Sequence, residues 1–76
     1  MKKTVAHLRK GEKAIIVDVA TDEVPLKLLE MGCLPGNEIH LLQLAPFSDP
    51  MYINVNGSHL AIRRETALHI IVETPT

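Results

Sequence analysis

The side chains best suited to chemistry in this chain are His7, His40, His59 and His69, because a neutral imidazole is a ligand for divalent transition metals. They lie on four separate stretches, with none of the short His-x-x-x-His or Cys-x-x-His spacings that build a site on one element. The ordinary reading is four solvent-facing strand residues. His40 and His59 are the weak metal candidates, since neighbouring strands would bring them together. Cys33 is the single cysteine, which excludes an internal disulfide and any site needing two thiolates. Between Gly32 and Leu34, with no base beside it, it reads as a small buried filler rather than a nucleophile. Arg63 and Arg64 invite comparison with an arginine that stabilises phosphoryl-transfer charge. With Glu65 next in sequence, an arginine that fixes a corner of the fold by hydrogen bonds is the better reading. Ser-His-Asp spacing, paired carboxylates in a glycine-rich setting and a phosphate loop are all missing, so the chain reads as a non-enzyme.

The totals narrow the classes further. In 76 residues, 46% apolar and 22% charged describe one folded domain over residues 1–76, near the size where only about 60% of the unfolded surface can be buried. Net charge is −1 and the aromatic residues are Phe47 and Tyr52 alone. Neither a phosphate-neutralising field nor a base-stacking platform is available, so nucleic acid is not an expected partner. Met1-Lys2-Lys3 looks like the charged start of an export signal, but the polar residues in 4–10 break any apolar stretch. The run Ala14-Ile15-Ile16-Val17 ends at Asp18, well short of the roughly 20 residues of a membrane span. A cytoplasmic protein that reaches a membrane only through a partner is expected.

The elements that must position these residues are mostly short strands. Residues 14–19 are rich in β-branched side chains and follow Gly11; Ile15, Val17 and Val19 alternate on one face while Ile16 is also a core candidate, which a bulge would reconcile. A helix of about two turns is predicted over residues 22–31, with Asp22 as cap, Pro25 in the first turn and Gly32 at the left-handed end. Val24, Leu28 and Met31 face the core on this reading, and Leu26 and Leu29 form a second stripe. Leu34-Pro35-Gly36 is a type II turn into a strand over 37–44 with Ile39 and Leu41 inward. The two prolines in residues 45–50 make that stretch a loop that lifts Phe47 toward solvent. Met51, Ile53 and Val55 alternate up to Asn56-Gly57, the sign of a type I′ hairpin, and residues 58–63 return. Residues 64–67 form one helical turn, residues 68–73 the last strand, and residues 74–76 should fray. The sum is a mainly β protein: a small five-stranded barrel, closed or nearly so, with a two-turn helix between its first two strands and a helical turn before the last.

Met31-Gly32-Cys33-Leu34-Pro35-Gly36, then Ala45-Pro46-Phe47-Ser48-Asp49-Pro50, then Ile62-Arg63-Arg64-Glu65-Thr66-Ala67 resemble, in that order and at those separations, the FeoA family of ferrous iron transport accessory proteins. The resemblance spans nearly the whole chain. Lys27 stands where the family often has arginine, and Ser48 where it usually has a glycine, which takes positive φ more readily than serine. What the resemblance implies is an SH3-like barrel, a cytoplasmic location, and action on the GTP-binding domain of the membrane permease FeoB. No cofactor is expected; the histidines leave room for a weakly held Fe2+ or other divalent ion at most. Leu26 and Leu29 are then either the apolar centre of a partner-binding patch, open also to self-association, or a lid on the barrel end. Phe47 is either a second anchor or folds back on the barrel. Leu26, Leu29 and Phe47, with Lys27 and Asp49 beside them, are the expected contact set. A metal-sensing or iron-binding module, like the C-terminal domain of metal-dependent repressors, is the alternative.

Overall fold

A computed structural model describes residues 1–75. Six antiparallel strands form one sheet: β1 (Lys2–Thr4), β2 (Lys13–Val19), β3 (Glu38–Leu44), β4 (Met51–Val55), β5 (Ser58–Ile62) and β6 (Ile70–Glu73). Their order across the sheet is β1-β6-β2-β3-β4-β5, so β1 and β5 are its two edges and the barrel is not closed by strand pairing. The expectation of five strands missed β1. Its Lys2, Lys3 and Thr4 carry no apolar alternation, and only pairing with β6, Lys3 opposite Val72, makes them a strand. The same pairing corrects the expected fraying of residue 74: the Thr74 N–H donates to the Met1 carbonyl at 3.0 Å. Thr76 lies outside the described residues.

One strand face and the elements over it supply the core. Ile39, Leu41, Met51, Ile53, Val55, Ile70 and Val72 are fully buried, which is the alternation read from the sequence. In β2 the register against β6 shifts between Ile16 and Asp18. That bulge carries Ala14, Ile16 and Val19 inward while Ile15 and Val17 face out. Of the two competing faces in that strand, the bulge therefore selects Ile16. A 3₁₀ turn, Val5–His7, drops Val5 and Ala6 into the core.

The expected two-turn helix is shorter: α1 spans Leu26–Glu30. Pro25 has extended φ/ψ of −53° and 139°, and a residue preceding proline is kept from helical geometry, so residues 22–24 form a separate turn closed on the Ala20 carbonyl. Asp22 accordingly caps no helix among the described residues. The other end is as read. Gly32, at φ +110°, closes a Schellman motif in which the Cys33 N–H donates to the Leu28 carbonyl and the Gly32 N–H to the Leu29 carbonyl. A Cβ on Gly32 would stand 2.8 Å from that of Asn56, so the helix end and the β4–β5 hairpin meet at a point where no side chain fits. Gly36, at φ +98°, and the Asn37 N–H to the Leu34 carbonyl make the predicted type II turn; Asn56 and Gly57, at φ 51° and 81°, make the type I′ turn. The second helix, α2 (Arg64–Ala67), is the expected single turn.

Candidate functional site

Of the residues expected to make contact, Lys27 and Asp49 come together around Arg63, which follows β5, while Leu26, Leu29 and Phe47 line neither of the hollows there. A tight turn, Pro46–Ser48, joins β3 to β4 and holds Phe47 and Ser48 at φ 66° and 63°. Ser48 thus takes the positive φ that glycine would adopt more readily. Phe47 is 100% exposed, so it does not fold back on the sheet. The turn is closed at both ends: the Ser48 N–H donates to the Ala45 carbonyl at 2.8 Å and the Ala45 N–H to the Pro50 carbonyl at 3.1 Å. A large apolar ring is held out in water by an ordered scaffold, an arrangement with no folding benefit of its own.

Asp49 follows, and its Oδ1 accepts the main-chain N–H of Arg64 at 3.0 Å, the first residue of α2. This corrects the sequence-based account of the corner: the Asp49 carboxylate and the Arg64 backbone tie it, with no hydrogen bond from either guanidinium among the described residues. Both arginine side chains are left exposed. Arg63 lines two adjoining hollows. One, about 250 Å³, lies between it, Asp49 and Glu65; the other, about 240 Å³, runs toward α1 over Pro25, Lys27, Leu28, Ala61 and Ile62. Arg63, given only a structural part from sequence, is what joins Lys27 to Asp49 in space. The adjacency depends on β5 running back toward α1, which no local spacing reports.

The two leucines separate. Leu26 is 68% exposed, whereas Leu29 and Leu28 are half-buried and pack against the core. Lost helix length is the reason, since five residues make little more than one turn and present one exposed apolar position.

His40 and His59 are not neighbours. Each stands opposite Asn54 in β4, His40 from β3 and His59 from β5, so about 9–10 Å of sheet separates their backbones. Among the described residues no group of three His, Cys, Asp or Glu side chains could hold a metal ion. His7 Nδ1 lies 2.7 Å from the Thr4 hydroxyl, a local contact. Cys33 is fully buried, and burial pushes its thiol above the ordinary value. Away from this end, Glu12 accepts the Arg9 N–H at 2.8 Å and pairs with Lys3 Nζ at 2.9 Å; the backbone bond first and the lysine second hold its carboxyl below the usual range. No helix among the described residues is long and apolar enough to cross a membrane.

The FeoA domain family model matches residues 3–74. A fusion of Fe(2+) transport protein A with the Fe(2+) transporter FeoB, from Porphyromonas gingivalis, is 39% identical over 70 residues; these cover 91% of this chain and 8% of the relative, so the chain spans a small part of it. Among solved structures, an iron uptake regulatory protein, FeoA, is 29% identical with a TM-score of 0.84 over 99% of both chains. FeoA of Stenotrophomonas maltophilia complexed with zinc, a procaryotic SH3 domain protein, matches with a TM-score of 0.78 at 24% identity over 92% of this chain and 88% of that one. The open six-stranded sheet is therefore SH3-like, with "barrel" a loose term for it.

Proposed function

The chain belongs to the FeoA domain family, and from that premise we propose that it is a non-enzymatic cytoplasmic accessory of ferrous iron transport that docks on the GTP-binding domain of the permease FeoB. The observation that carries the docking is Phe47, wholly exposed on a turn that is hydrogen-bonded at both ends. An exposed aromatic anchor costs solubility and contributes nothing to the core, and such rings dominate binding energy when a partner pocket desolvates them. Lys27 and Asp49, which line the two hollows joined at Arg63, and Leu26, exposed next to Lys27 in α1, complete the proposed contact set, with Leu29 packed against the core. The choice of partner is supported by the Porphyromonas gingivalis relative, which carries the two functions on one chain. Fusion raises the effective concentration of one module at the other, which favours pairs that touch. Docking would modulate the permease through unequal affinity for its nucleotide states. A divalent ion is at most a weak ligand in this scheme, because His40 or His59 alone offers a single imidazole.

The test is calorimetric titration of the protein into the isolated GTP-binding domain, with GDP, with a GTP analogue and without nucleotide, comparing wild type with Phe47→Ala and Leu26→Asp. Saturable binding that weakens about tenfold or more in either variant, roughly 1.4 kcal/mol, is expected. Absence of binding in every nucleotide state overturns the reading.

A further inference from the structure

We propose that the outer edge of β5 is a peptide-binding edge, which takes an extended segment carrying an apolar side chain flanked by carboxylates. The first ground is the backbone. The Asn56-Gly57 turn makes Val55 and Ser58 the closing hydrogen-bonded pair, so in the β4–β5 ladder Ser58, Leu60 and Ile62 bond inward to β4. His59 and Ala61 therefore direct their N–H and C=O groups away from β4, and among the described residues these groups find no backbone partner elsewhere. Natural sheets blunt such an edge with proline, an inward charge or a covering element; β5 has no proline and no bulge against β4, and among the described residues no strand lies beyond it.

The second ground is what lies beside that edge. The 240 Å³ hollow begins at Ala61 and Ile62 and is floored by Pro25 and Leu28 of the α1 segment. Its charged residues are Lys27 and Arg63, two cations with no ion pair among the described residues. An added strand opposite Ala61 would exchange main-chain hydrogen bonds with His59 and Ala61, lower an alternate apolar side chain into the hollow, and set flanking carboxylates against Lys27 and Arg63. Charge complementarity thus selects an acidic segment. Because Asp49, which follows the Phe47 turn, lines the other hollow joined through Arg63, the edge deepens the docking reading: it rests on a protein partner and assigns that partner an extended acidic-apolar stretch as well as a pocket.

The probes are two capped peptides, Glu-Val-Ile-Val-Glu and Lys-Val-Ile-Val-Lys, titrated into the whole 15N-labelled protein at low salt. Saturable shifts centred on the His59 and Ala61 amides, with the acidic peptide binding at least about tenfold more tightly, are expected. Ala61→Pro removes an outward donor that β4 does not use and should abolish the shifts; the double variant Lys27→Glu with Arg63→Glu should reverse the preference and keeps the test independent of how well the proline variant folds. Shifts elsewhere, equal affinity for both peptides, or no preference reversal overturn the proposal. Titration of the permease domain in parallel separates the two readings: loss with Phe47→Ala and none with Ala61→Pro or the charge-reversed protein retains the docking and removes the edge from it.

Discussion

Gly32 shows how much one residue decides. It has φ +110° and no room for a Cβ beside Asn56, so two independent costs fall on any replacement. Gly32→Ala should lower unfolding free energy by about 2–4 kcal/mol in urea titration followed by circular dichroism, while Gly36→Ala, with the same sign of φ but open space around it, should cost about 1 kcal/mol. The backbone need was readable from the position of Gly32 after a leucine-rich stretch; the approach of Asn56, 24 positions later, was not. Cys33 behaves similarly. Its thiol is buried and its pKa pushed up by burial, so Ellman's reagent should react only as the protein unfolds, with a rate at fixed pH that rises with denaturant.

Among elements, the connections matter more than the strands. The Asp49 carboxylate joins the Phe47 turn to α2 through one hydrogen bond to the Arg64 N–H. Asp49→Ala should cost about 1 kcal/mol of stability and increase amide exchange over the Pro46–Ser48 turn, as measured by hydrogen–deuterium exchange. β1 is attached to the start of β2 by the Lys3–Glu12 pair. The folded-state carboxyl of Glu12 is lowered below its ordinary value of 4.5, so its contribution is complete above that value and is lost as pH falls through the folded one. Glu12→Gln should flatten the acid limb of a stability-against-pH curve and leave the curve above pH about 6 parallel to wild type. Both connections were out of sight in the sequence, because they join residues through turns whose geometry the side chains do not announce.

For the whole molecule, the consequence is a small open sheet with two adjoining hollows that meet at Arg63. Sequence separation hid that meeting: Lys27 lies in α1 while Asp49 and Arg63 lie in the connections before β4 and after β5, and the return of β5 toward α1 puts Arg63 between Lys27 and Asp49. A stable sheet with a fully exposed phenylalanine predicts that Phe47→Ser leaves the thermal midpoint within about 4 °C of wild type, since surface changes away from structural contacts fall within about 0.5 kcal/mol. A marked loss of stability in that variant would mean that the ring packs on the sheet in solution, and the docking anchor would have to be sought elsewhere.

Periodicity and turn chemistry, by themselves, determined the inward faces of β3 and β4, the Asn56-Gly57 hairpin, the Gly32 helix end, and a mainly β chain, because alternation and positive φ are local properties. Tertiary structure alone decided β1, the burial of Ile16 in preference to its neighbours, the shortening of α1 that half-buries Leu29, the separation of His40 from His59, and the place of Arg63 at the site. Each of these depends on which strand lies beside which, and that is settled by the free energy of closing the whole core rather than by any neighbour in the chain.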